Sequence, residues 1–377
     1  MPDHRVVVTG VGTIHASTAA GRDALAGALA LNRSAIGPVR GFDAAAFTSR
    51  LAAEVEDAIL GSLIGRDAAR RLSPICRLAL GACVLAVRDA GGPRGPGLGI
   101  VVGTEFGDFT SSRDFAHGFL TRGPGGLSPM IFPNTVMNTM ASIAAIAIGA
   151  KAPSVTVNQS TLAGDLAVAR GARLIADRRA TAVVAGGVDE LFQEVYQRLA
   201  EMGALSPMQS RAPEGCRPYA ADHNGPVLGE GATFVVLEDL ETARARGARV
   251  TAEIVEAAWG NVPTAPHSGR PTRIDDRSPA GRLIRSRPEG VARCYGAGNG
   301  DPAVDDWERA LLGHDLPARA DLLPPQSLAP LFGQHGGLGA LRVGAAALDA
   351  GRGIGSVLVH GIARGGCRTA VLVGPPP

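Results

Sequence analysis

Lysine is almost absent from this 377-residue chain: Lys151 stands alone among 37 basic residues, and the rest are arginine. Acidic residues number 35, leaving a formal charge of +2 with no block of either sign. That balance excludes a basic nucleic-acid surface or a polybasic membrane patch. Cysteine is scarce as well. Cys76, Cys83, Cys216, Cys294 and Cys367 form an odd set without CxxC or Cys/His ligand spacing. Neither a disulfide framework nor a metal centre is expected from such a set, and a reducing cytosol suits it. No uncharged apolar run reaches the length of a membrane span, and the opening MPDHRVVVTG has no signal-peptide core. The expectation is a cytoplasmic protein that needs no cofactor.

What is present is enough apolar sequence for a large core, 45% of the residues. Short β-branched runs at Arg5–Thr9, Leu98–Val102, Ala182–Ala185, Thr233–Leu237 and Thr369–Val373 read as buried strands. Between them, Asp23–Leu31, Ser73–Asp89, Leu162–Asp177 and Leu338–Ala350 carry apolar residues at helical spacing. The alternation predicts an α/β fold. Glu238–Arg246 reads as a charged surface helix, a new strand starts at Val250, and Gly260–Gly290, rich in Pro, Gly, Arg and Ser, reads as a surface excursion. A division into 1–248 and 249–377 follows. Gly10-Val11-Gly12 imitates a dinucleotide fingerprint, but His15 occupies the third glycine position, and a tight strand-to-helix turn accounts for the pattern.

Several segments together resemble the β-ketoacyl synthase family of the thiolase fold. They are VVVTGVG at Val6–Gly12, FPNTVMN at Phe132–Asn138, and the long stretch Cys216–Ala248 with its Gly229-Glu230-Gly231 element. GNGDP at Gly298–Pro302, FGQHGGLGAL at Phe332–Leu341 and GGCRTAVLV at Gly365–Val373 follow in the family's order. The resemblance implies a five-layered αβαβα core of two similar halves, an obligate dimer, and a nucleophile at the N-terminus of a buried helix. Such a terminus favours a thiolate and offers amides to a thioester oxyanion.

The residues that the family uses for condensation are missing. Counting back from Ala185-Gly186-Gly187 puts Thr161 at the cysteine position. Ala297 and Gln334 take the places of the two histidines and Ala329 that of the lysine, while Arg364 replaces the phenylalanine that gates the acyl pocket. Threonine has a hydroxyl pKa far above neutral and no adjacent base in sequence, so it is expected to cap the helix rather than attack. His335, one residue past Gln334, is expected in an exposed loop, although a one-residue slip in the Gly-rich turn would bring it to the family position. Cys367 is expected to be a buried, inert thiol.

This pattern resembles the chain length factor of type II polyketide synthases, a non-catalytic subunit paired with an active ketosynthase. Glu105-Phe106-Gly107 is similar to a segment preceding the pocket-lining helix of such factors, and Ser268-Gly269-Arg270-Pro271 to one of their loops. Glutamine at the nucleophile position marks the aromatic-polyketide factors; here it is Thr161, with Gln159 two residues before, so a polyene-type system is equally admissible. The implied partners are the catalytic ketosynthase and acyl carrier protein. Phe109, Ser112, Phe115 and Phe119 share one face of the following helix and are candidate tunnel residues. Two other readings stay open: a free-standing thiolase-fold acyltransferase or decarboxylase using Thr161, Ser160 or His335, and an acyl-binding scaffold homodimer.

Overall fold

The computed structural model describes residues 4–16, 19–65, 72–208, 213–262, 264, 278–285, 290–316 and 320–377. The valine- and threonine-rich run at its start forms strand β1 (Val6–Ile14), buried along its whole length, as a strand covered on both faces must be. Eight further strands join it: β2 (Leu98–Thr104), β3 (Ser154–Asn158), β4 (Ala182–Asp189), β5 (Gly231–Asp239), β6 (Ala252–Asn261), β7 (Arg293–Tyr295), β8 (Val357–Ile362) and β9 (Cys367–Gly374). Their order is β3-β2-β4-β5-β1-β6-β9-β8-β7.

The two sides of this sheet are wired alike. On one side β3, β2 and β4 are parallel, then β5 and β1 run antiparallel; on the other, β7 and β8 are parallel, then β9 and β6 antiparallel. The sides meet where Val6–Val8 of β1 pair with Ala252–Ile254 of β6. The counterpart of β3 on the second side is a single bridge, Tyr295 to Gln326.

Helices α1 (Pro74–Asp89), α2 (Phe109–Arg122), α3 (Thr139–Ile148), α4 (Ala163–Ala176), α5 (Gln193–Glu201), α6 (Pro279–Arg285), α7 (Pro302–Asp315) and α8 (Leu338–Gly351) complete the layers. Apolar residues of α1 and α3 cover the outer face of β1, β2, β4 and β5. α4 and α8 lie between the two sides and pack on strands of both. α6 and α7 close the far face. The two-residue strand period sorts side chains between layers: Val371 and Val373 face the central helices, Ala370 and Leu372 the outer pair. Arg342 of α8 donates Nη2 to both carboxylate oxygens of Asp165 of α4, at 2.9 Å each, so the buried cation on α8 is paired with an acid.

Three expectations change. Gly10 and Gly12 make neither a turn nor a phosphate cradle: they lie within β1, where a Cβ would stand 2.3 Å from the Ala86 carbonyl and 2.2 Å from that of Ala82. They let α1 seat directly on the strand. Glu238 belongs to β5 rather than to a surface helix, because Arg246 (2.5 and 2.7 Å) and the Thr9 hydroxyl meet its buried carboxylate. The stretch Gly260–Gly290 is not wholly surface, since α6 buries Ala280 and Leu283 in the outer core. Ser268–Pro271 lies outside the described residues.

Candidate functional site

The site grows from the ends of two parallel strands. Asn158, last in β3, donates its side-chain amide to the carbonyls of Thr104 (3.1 Å) and Glu105 (2.7 Å), which ties the β2 and β3 ends together. The chain then turns through Ser160 and Thr161 into α4. Thr161 has φ +52°, a left-handed conformation that costs a β-branched residue on the order of 1–3 kcal/mol. Among the described residues its buried hydroxyl makes no hydrogen bond and α4 has no side-chain cap, so Thr161 does not cap the helix as expected.

Glu105 fills the turn instead. Its carboxylate accepts the Ser160 hydroxyl at 2.8 Å and the Thr161 amide at 3.2 Å. Burial raises its pKa, against the pull of those two bonds. Asp189 at the end of β4 anchors the same segment. It accepts the Thr104 hydroxyl (2.6 Å), the Glu105 and Phe106 amides (3.1 and 3.3 Å) and the Gly336 amide (2.8 Å). Burial, then the nearby Glu105 charge, pushes this carboxyl up to about 7.

His335 is not an exposed loop residue. It is 3% accessible, and without any slip it lines the same cavity as Gln334, because Gln334 is held in register by the Val227 carbonyl and the Gly229 amide. The Gly337 amide donates to His335 Nδ1 at 3.1 Å, which leaves the proton on Nε2. Burial, followed by the His15 and Arg342 charges, holds its pKa down to about 3. The imidazole is therefore a neutral donor with no free lone pair, and cannot serve as a base.

A cavity of about 310 Å³ gathers these groups. Thr161, Glu105, Asn299, Gln334 and His335 supply its polar end, and Phe106, Phe192, Leu199, Leu205 and Leu228 its apolar walls. At the solvent side Arg364 donates Nε to Asp301 at 2.6 Å, so the arginine at the gate position is paired with an acid.

The other singled-out residues lie elsewhere. Ala297 packs with Trp307 and Ile362, and Ala329 is fully buried at the start of the short helix Ala329–Phe332; neither lines the cavity. Of the α2 stripe, Phe109 meets Phe192 at 5.1 Å between ring centroids and so backs the wall. Ser112 hydrogen-bonds within its own helix, Phe115 packs on Phe132 at 5.7 Å, and Phe119 is exposed. Cys367 is half-buried rather than buried, with its thiol pKa raised by burial.

Two acidic residues outside the family-like motifs, Asp305 and Glu308, shape the Gly296–Asp301 turn. Asp305 accepts the Tyr219 and Asn299 amides (2.8 and 3.0 Å), and Glu308 accepts the Ala297 amide (2.9 Å), the Tyr219 hydroxyl (2.6 Å) and His360 Nδ1 (2.5 Å). Their i, i+3 spacing on α7 was the available signal.

Residues 3–243 match the family described as Beta-ketoacyl synthase, N-terminal domain. The 3-oxoacyl-[acyl-carrier-protein] synthase 2 of Synechocystis sp. is 32% identical over 256 residues, which are 67% of this chain and 61% of that protein. That match thus spans under two thirds of the relative. The enzyme of the same name from Coxiella burnetii is 28% identical over 340 residues, 89% of this chain and 79% of that one. Among solved structures, the ishigamide ketosynthase/chain length factor superposes with a TM-score of 0.81 at 24% identity, covering 99% of this chain and 100% of that one. The AntDE:AntF complex, a type II polyketide synthase acyl-carrier protein with its ketosynthase, gives 0.82 at 19% identity, covering 100% of both chains. At such identities the likeness shows the fold, which is the thiolase-like α/β architecture expected. Family match, fold and the strand-end cavity agree, and the chain belongs to the β-ketoacyl synthase family.

Proposed function

We propose that this chain is a non-condensing ketosynthase-like subunit, a chain length factor that pairs with an active ketosynthase in polyketide or polyene-type elongation on acyl carrier protein. One observation carries the reading: the turn where the family places its nucleophile holds Thr161, whose hydroxyl hydrogen-bonds no base among the described residues, while the Glu105 carboxylate is taken up by the Thr161 amide and the Ser160 hydroxyl. A threonine attacks a thioester only when something takes its proton. His335 is protonated on the nitrogen left free, and Gln334, Ala297 and Ala329 bring no base.

The surface supports pairing. β3 is an edge strand with half-buried and exposed residues; α3, which packs on it, exposes Ile146 by 82%, and α2 and the Phe132–Thr135 turn that packs on both helices expose Phe119, Leu120 and Phe132 by 47–80%. An apolar face of this kind next to an open sheet edge suits a large permanent interface through Lys151–Gln159. We read the division of the chain at 248/249 in the same frame, as two ketosynthase-like halves. The names of the curated relatives favour a second reading, a condensing enzyme, against which the residues at the site weigh.

Purification with a neighbouring ketosynthase separates the two. The expected results are a stable complex, no condensation of malonyl-carrier thioester by this chain alone, and nearly unchanged turnover when the complex carries Thr161→Ala. Turnover by the single chain, or stoichiometric acylation of Thr161, would establish the enzyme reading instead.

A further inference from the structure

Donors from two elements line the polar end of the cavity. The Thr161 amide and Ser160 hydroxyl stand at the start of α4, a 14-residue helix whose dipole favours negative charge there. His335 lines the same cavity with a buried Nε2–H that has no acceptor among the described residues. This is the donor set of an anion site, and a carboxylate of the chain itself is already in it. Glu105 is delivered there by construction: Asp189 grips its backbone amide with both oxygens at 3.1 Å, and Asn158 grips its carbonyl.

We infer that Glu105 is a built-in occupant of this subunit's oxyanion turn, and that the turn freed of it takes the carboxylate of a short aliphatic acid. The inference concerns ligand access to this chain and does not depend on the partner role proposed above. Two effects act together. The side chain fills the space, and its charge opposes any second anion or developing oxyanion at the Thr161 amide.

A cysteine reporter tests this in the full chain, in the assembly in which it purifies. T161C, T161C/E105Q and T161C/E105A are treated with iodoacetamide at neutral pH, and peptide mass mapping separates the introduced thiol from the five native cysteines, each with a thiol pKa raised by burial. A neighbouring carboxylate holds a thiol pKa up by a unit or more, so its removal should speed alkylation about tenfold. E105Q keeps the size and folds most conservatively, so it isolates the charge. Millimolar sodium propionate should slow labelling of T161C/E105A and leave T161C untouched. Equal alkylation rates in T161C and T161C/E105Q, or equal protection of T161C and T161C/E105A by propionate, would overturn the inference.

Discussion

Glu190 follows directly on β4 and is 5% accessible, with one oxygen bonded to the Thr110 hydroxyl at 2.6 Å and the other without a partner among the described residues. Burial chiefly, with Asp108 and Glu230 adding, pushes its carboxyl up to about 7. The folded chain therefore holds a proton that the unfolded chain has released once the pH passes the ordinary glutamate value. Stability from this group is full below that value and is lost as pH rises toward 7. Glu190→Gln keeps the acceptor for Thr110 and removes the titration. We expect it to raise stability above pH 7 by up to about 3 kcal/mol and to be neutral near pH 4.5, which urea melts at the two pH values would resolve. An equal effect at both would mean that Glu190 titrates normally.

At the scale of elements, α2 is where a role in measuring the acyl chain can be tested. Only Phe109 of its stripe touches the cavity wall, through Phe192, whose ring also meets Phe106 edge-on at 6.0 Å. Phe109→Ala would loosen that aromatic cluster while removing none of the hydrogen bonds made by Ser160 and Thr161. In a complex with an active ketosynthase the expected outcome is longer released products at an unchanged rate of first condensation, read by mass analysis; unchanged lengths would remove α2 from the tunnel. Phe115→Ala should do less, since Phe115 packs on the exposed Phe132 instead. Helix α2 itself was legible from spacing, as were β1, β2, β4, β5 and β9 from their β-branched runs. What spacing could not show is which side chains from distant segments meet. Glu238 looked like surface charge because Thr9 and Arg246 reach it only after folding. His335 looked exposed because nothing local announces that Asp189, 147 residues before Gly336, fixes its turn through the Gly336 amide. Glu105 was visible as a residue, but its role depends on two strand ends being tied by Asn158.

For the whole molecule, assembly is the property most open to measurement. Phe119→Glu and Ile146→Glu each put a charge on the exposed apolar surface of α2 and α3, and desolvating an unpaired charge in the core of the proposed interface would be costly. Light scattering of the co-expressed complex should show it broken by either change, with the α/β signal in circular dichroism retained. A stable, monodisperse monomer of the parent chain at micromolar concentration would count against an obligate interface.

The sheet also sets how far assembly can go. Its β3 edge is open, whereas the β7 edge is closed: Cys294 and Tyr295 are buried there, and the Tyr295–Gln326 bridge occupies the place where another strand would add. In the language of polymer chemistry the molecule is monofunctional. Two such units joined edge to edge as proposed would leave no open end of this sheet among the described residues, so growth would terminate at a pair rather than run on into a fibre.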